Sequence, residues 1–141
     1  MFDTVSSKNN PLNCFLIDDD IDDQEIFSMA VRELSESIQC FFADDGVKAV
    51  AKLQQDVSFL PNYIFIDINM PRMDGIECFQ QIRNIQRLNP VPICMLSTSA
   101  DPAIVARSKE LGASDFIVKP ASIFMLSELL RNFFNSNQRI K

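Results

Sequence analysis

Five short apolar runs alternate with helically periodic segments along this 141-residue chain. The runs are Cys14–Ile17, Ile38–Ala43, Tyr63–Ile66, Val91–Leu96 and Asp115–Val118. They are near-continuously apolar and rich in β-favouring types, as in strands buried on both faces of a parallel sheet. Between and after them, apolar residues recur at helical spacing. The faces are Ile26, Met29, Ala30 and Leu34; Val47, Val50 and Ala51; Ile76, Phe79 and Ile82; Ile104, Val105, Ser108 and Leu111; and Met125, Leu126, Leu129, Leu130 and Phe133. Strand–helix alternation with right-handed crossovers leaves few topologies. The expected fold is α/β: a doubly wound five-stranded parallel sheet, order 2-1-3-4-5, in a three-layer sandwich. Its switch point falls between the first and third strands.

Local signals mark the helix ends. Asp22 with Glu25, and Asp74 with Glu77, have capping-box spacing. Asp101-Pro102 reads as a cap followed by Pro in the first turn, and Gly112 as a C-terminal stop. Ser122 caps the last helix. The third helix is expected to end near Leu88, before Asn89-Pro90. Residues 1–13 read as a flexible leader, 14–134 as the domain and 135–141 as a short polar tail.

Composition excludes several functions. The formal charge of −6 gives no basic face for nucleic acid. No apolar run approaches the roughly 20 residues of a membrane span, and residues 1–13 lack the order of a signal peptide. We therefore expect a cytoplasmic protein with neither nucleic acid nor membrane as partner. Cys14, Cys40, Cys78 and Cys94 show no metal-clip spacing and read as buried thiols. The chain has no His, so no imidazole can act as base, nucleophile or phosphoacceptor within it.

Parallel strands place their C-terminal tips on one edge, where ligands of such folds bind. The first tip carries Asp18 and Asp19, the third Asp67, the fourth Ser97 and the fifth Lys119. Like charges at about 4 Å repel by roughly 4 kcal/mol at an effective dielectric near 20. Domains are stable by only about 5–15 kcal/mol, so the acids need compensating cations. Lys119 supplies one charge. A hard divalent cation with oxygen ligands would supply the rest, and Mg²⁺ fits, keeping waters at its remaining positions. Phosphoryl transfer needs this set: a carboxylate nucleophile in Asp67, a metal, an ammonium in Lys119 and a hydroxyl donor in Ser97.

The sequence resembles the receiver domains of two-component response regulators, of the stand-alone, chemotaxis-regulator-like kind with a flavodoxin-like sheet. The resemblance rests on Leu16-Ile17-Asp18-Asp19-Asp20, on Asp67-Ile68-Asn69-Met70-Pro71-Arg72-Met73-Asp74-Gly75, and on Ser97-Thr98, Gly112-Ala113 and Lys119-Pro120. It covers roughly Cys14 to Phe134. It implies that Asp67 accepts phosphate from a phosphohistidine on a sensor histidine kinase or histidine phosphotransfer protein. It implies Mg²⁺, or Mn²⁺ in its place, held by Asp19, Asp67 and the backbone carbonyl of Asn69, with Asp18 acting through water. Ser97, Thr98 and Lys119 would bind the phosphate, and a cis peptide before Pro120 would aim Lys119 inward. Phe116 stands where an aromatic moves inward on activation, or is a plain core aromatic. Asn69 and Ser99 stand where relatives tune dephosphorylation. The surplus acids of Asp20-Ile21-Asp22-Asp23 read as a solvated helix start.

The expected function is thus a single-domain, Mg²⁺-dependent phosphoacceptor. It signals to a downstream protein through phosphorylation-dependent contacts over the fourth helix, fifth strand and fifth helix. Autodephosphorylation is expected, but no dedicated substrate turnover. A Mg²⁺-dependent phosphohydrolase would usually need an acid two residues after Asp67, where Asn69 stands. A flavin carrier would need a non-acidic phosphate loop in place of Asp18–Asp20. A pseudo-receiver that only docks proteins would not need Asp19, Asp67, Ser97 and Lys119 together.

Overall fold

The computed structural model describes residues 12–138. Five strands form one parallel sheet in the order 2-1-3-4-5: β1 (Leu12–Ile17), β2 (Ile38–Ala43), β3 (Tyr63–Asp67), β4 (Ile93–Ser97) and β5 (Asp115–Val118). The helices are α1 (Ile21–Leu34), α2 (Gly46–Gln55), α3 (Gly75–Arg83), α4 (Pro102–Glu110) and α5 (Ile123–Ser136). Among the described residues no helix is long and apolar enough to cross a membrane.

The two-sided burial inferred from the apolar runs is realised in the central strands β1, β3 and β4, whose residues alternate between two cores, while the edge strands β2 and β5 are partly exposed. Leu12, Cys14 and Leu16 of β1 and Tyr63 and Phe65 of β3 face one core with α1 and α5. Phe15, Ile17, Ile64 and Ile66 face the other, with α2 and α3. In the first core Tyr63 meets Phe133 and Phe134 edge-on, and its hydroxyl donates to the Asn137 carbonyl at 2.9 Å. Ser127 of α5 donates to the Ala30 carbonyl of α1 at 2.6 Å, which fixes how these helices meet.

Several boundaries and faces differ from the sequence reading. β1 begins at Leu12, two residues before Cys14, because Asn13 and Asn62 exchange hydrogen bonds at 2.8 Å. The rest of the expected leader lies outside the described residues. α5 runs through Ser136, closed by Asn137, whose side-chain amide donates to the Phe133 carbonyl; residues 139–141 of the expected tail lie outside the described residues. α1 starts two residues earlier than the Asp22–Glu25 spacing suggests: Asp20 is its cap and accepts from the N–H groups of Asp22 and Asp23. Asp74, Asp101 and Ser122 cap as read, and Gly112 takes a left-handed φ of 97°. α3 ends at Arg83, not near Leu88. The Arg83 guanidinium instead binds the carbonyls of Leu88 and Val91, holding a 3-10 turn over Gln86–Leu88.

The buried stripes are rotated from the expected ones. α1 buries Phe27, Ala30, Val31 and Leu34, while Ile26 and Met29 are exposed. α2 buries Ala49, Val50 and Leu53 and leaves Val47 outside. α4 buries only Ser108 fully; α5 buries Leu126, Leu130, Phe133 and Phe134 and exposes Met125 and Leu129.

Candidate functional site

Register brings the site residues to one edge. Ile17 pairs with Ile66, so Asp18 follows level with Asp67; Ser97 pairs with Val118, so Lys119 follows just beyond Ser97. The chain is then held at that level. Asp18 N–H donates to the Ala43 carbonyl at 3.0 Å, Ile68 N–H to Leu96 at 2.9 Å, and Lys119 N–H to Ser97 at 2.7 Å. Gly75 closes the loop after β3 by donating to the Ile68 carbonyl at 2.9 Å. The approach is so close that a Cβ at Gly75 would stand 2.5 Å from the Asp67 carbonyl oxygen.

Asp18 and Asp67 are 1% and 5% exposed, whereas Asp19 faces solvent. One carboxylate oxygen from each of Asp18, Asp19 and Asp67 lies within 4.8 Å of the others. Lys119 Nζ sits 2.9 Å from Asp18, 3.3 Å from Asp67 and 2.9 Å from Asp23. The inward aim of Lys119 is therefore present, but the peptide bond before Pro120 is trans; no cis bond occurs among the described residues. The backbone bond to Ser97 and the three carboxylates suffice to direct the side chain.

The electrostatics follow from crowding acids with little water. Burial is the main force pushing the Asp67 carboxyl up to about 6; Lys119 opposes it, and Asp18 and Asp19 add to it. Burial also raises Asp18, against hydrogen bonds from Lys119 and the Asp20 N–H. For Lys119 burial alone would lower the pKa, but hydrogen bonds to Asp18 and Asp23 outweigh it and raise it. The ammonium stays charged. An all-oxygen donor set whose repulsion a single ammonium only partly relieves fits a hard divalent cation.

The remaining sequence-derived residues lie around this centre. Ser97 is 3% exposed at the end of β4, and its Oγ accepts from the Ser99 N–H at 3.2 Å. Thr98, Ser99 and Asn69 are exposed in the loops beside it. Phe116 is half-buried, packs on the α2–α3 side of the sheet and lines a groove between α4 and β5 with Val105, Ser108 and Ala113. Asp23, read from sequence as part of a solvated helix start, belongs instead to the charge cluster. The signal was available: with Asp20 as cap, Asp23 falls in the first turn of α1, directly after the β1 tip.

Comparison with known proteins gives a consistent result. A family model described as the response regulator receiver domain matches residues 14–131. A protein-glutamate methylesterase/protein-glutamine glutaminase of Methanococcoides burtonii is 30% identical over 133 residues, covering 85% of this chain and 36% of that protein. The chain thus spans about a third of that relative. Chemotaxis protein CheY4 of Vibrio cholerae is similar in structure, with TM-score 0.76, 27% identity and coverage of 88% of this chain and 99% of that one. The phosphorylated cyanobacterial phytochrome response regulator RcpA gives TM-score 0.80 at 25% identity, covering 89% and 93%.

Proposed function

The chain belongs to the response regulator receiver domain family, and from that premise we propose that Asp67 is the phosphoacceptor of a histidine-to-aspartate relay. A carboxylate oxygen of Asp67 attacks the phosphorus of a phosphohistidine on a sensor kinase or phosphotransfer protein. The P–N bond breaks, and the departing imidazole keeps the electron pair and takes up a proton. Asp19, Asp67 and the Asn69 carbonyl would hold Mg²⁺ or Mn²⁺, with Asp18 acting through water. The cation supplies charge neutralisation at the phosphoryl oxygens. Lys119 binds another of those oxygens, and Ser97 and Thr98 donate hydroxyls to them.

The new phosphate adds charge and acceptors next to the Ser97–Ser99 loop. Ser97 leaves the Ser99 N–H to reach it, and Phe116 follows into the space beneath. The changed surface over α4, β5 and α5 then binds a downstream protein. Asn69 and Ser99, exposed at the mouth, set how fast water removes the phosphate. This activity is phosphate acceptance and autodephosphorylation, not turnover of a separate substrate.

The observation that carries this reading is the convergence of Asp18, Asp19 and Asp67 within 4.8 Å, with Lys119 Nζ 3.3 Å from Asp67. The test is incubation with acetyl phosphate plus Mg²⁺. Intact-mass analysis should show one phosphoryl group on the wild type and none on Asp67→Asn. Equal labelling of both proteins overturns the assignment.

A further inference from the structure

The loop that leaves β3 after Asp67 returns to it at Gly75, and its far end is fastened to another part of the molecule. Arg72, near the middle of this loop, has a φ of 68°, the only left-handed non-glycine residue among those described. Arginine gains nothing locally from that conformation; Gly or Asn would adopt it more readily. What the chain gains is reach: the Arg72 guanidinium bonds to Oδ2 of Asp45, 27 residues away at the end of the β2–α2 connection.

Asp45 is a committed partner. It is 4% exposed, and its other oxygen, Oδ1, caps α2 by accepting from the Lys48 N–H at 2.7 Å. Both carboxylate oxygens are therefore used. The neighbouring residues complete the attachment: Met73 packs so closely over Gly46 that a Cβ there would meet its sulfur at 3.1 Å. A short hydrogen bond within the loop, Met73 N–H to the Pro71 carbonyl at 2.7 Å, keeps Arg72 at the turn. Asn69 lies on this same loop, between the Asp67 anchor and the Arg72 latch.

We propose that Arg72 is a positioning residue for the cation centre: through Asp45 it holds the Asp67–Gly75 loop against the start of α2, so that the Asn69 carbonyl is ready to ligate. The inference rests on the metal-binding reading given above. It makes a prediction opposite in sign to simple electrostatics. Deleting a positive charge near an acidic centre should strengthen cation binding. If Arg72 acts by holding the loop, deleting it should weaken binding.

The experiment measures Mn²⁺ binding by electron paramagnetic resonance, and Mg²⁺ by competition, on the full chain. The core comparison is wild type, Arg72→Ala, Asp45→Asn and the double variant, with Arg72→Lys, Arg72→Gly and Asp67→Asn alongside. Arg72→Ala should raise the Mn²⁺ Kd about threefold to tenfold. Asp45→Asn, which removes the charged partner and retains an oxygen able to cap α2, should do the same. The double variant should be no worse than either single one, because one latch is broken in all three. Arg72→Lys should recover part of the affinity, and Arg72→Gly, which fits the left-handed backbone, should not. An unchanged or tighter Kd for Arg72→Ala overturns the latch, as do independent, multiplying losses in the double variant. If wild-type protein binds Mn²⁺ no better than Asp67→Asn does, the metal-binding reading itself has failed, a result distinct from the others.

Discussion

The carboxylate of Asp23 stands 2.9 Å from the Lys119 ammonium, the same distance as the buried carboxylate of Asp18. Lys119 thus divides its donors among three acids, and Asp23 competes with Asp67 for them. Asp23→Asn should shift Lys119 towards Asp18 and Asp67. One charge-assisted hydrogen bond is weakened at a partly exposed position, so metal-free stability should fall by about 1 kcal/mol. Phosphorylation by acetyl phosphate should become faster, because the ammonium is freer to meet the incoming phosphoryl group. Urea denaturation and the rate of mass gain measure the two effects. A slower rate would show that Asp23 aims Lys119 rather than restraining it.

The Asp67 carboxyl, pushed up mainly by burial to about 6, predicts the pH dependence of the metal-free protein. The unfolded chain loses this proton near pH 3.9. Between about pH 4 and 6 the folded state therefore holds a proton that the unfolded state has released. Stability from this group falls as pH rises through that window, by about 3 kcal/mol in all. Asp18, also raised by burial, acts in the same sense. Asp56, lowered by the Ser58 hydroxyl, acts in the opposite sense. The difference between wild type and Asp67→Asn isolates the Asp67 carboxyl. In chelator, wild type should lose stability relative to Asp67→Asn between pH 4.5 and 7 by urea denaturation, and Mg²⁺ should restore it at pH 7. A constant difference across that range would contradict the cause assigned to the shift.

The site was legible in sequence where a single rule governed the residues. Apolar runs ending in acids, together with parallel topology, place Asp18, Asp67 and Lys119 at one edge, and the register bears this out. The helix faces were less legible. Ile26 and Met29 suit an inward stripe as well as Phe27 and Val31 do, and only packing against α5 selects between them. The roles of Asp23 and Asp45 depend on partners 96 and 27 residues away. Taken locally, both are helix-start acids. The trans bond before Pro120 was missed because that expectation came from resemblance rather than from this chain's own contacts.

Asp19 differs from its neighbours in facing solvent, and it adds to the repulsion felt by Asp67. Asp19→Asn should separate the two roles of the cluster. Without metal, removing an exposed like charge should raise stability by about 0.5 kcal/mol. With metal, the loss of a hard anionic ligand should weaken Mn²⁺ binding at least about tenfold. A chelator-treated melt and a Mn²⁺ titration on the same preparation read both effects. A lower metal-free melting point would show that Asp19 supports the fold instead of straining it.

Gly75 tests how tightly Asp67 is held from behind. A methyl group there would stand 2.5 Å from the Asp67 carbonyl oxygen and 2.6 Å from the Ile68 Cα. Both are backbone atoms at the end of a fully buried strand, so no side-chain rotation can relieve the clash. Either α3 moves away or the Asp67–Ile68 peptide does. Gly75→Ala should therefore cost about 3 kcal/mol, the upper end for overpacking, although Ala favours a helix start more than Gly. The hydrogen bond from Gly75 N–H to Ile68 should weaken with it. Because Asn69 leaves the sheet at that point, Mn²⁺ affinity should fall together with stability. Gly46→Ala meets only the flexible Met73 side chain, at 3.1 Å, and serves as the control. It should cost far less stability. Equal losses from the two substitutions would mean that the backbone behind Asp67 yields as easily as a methionine.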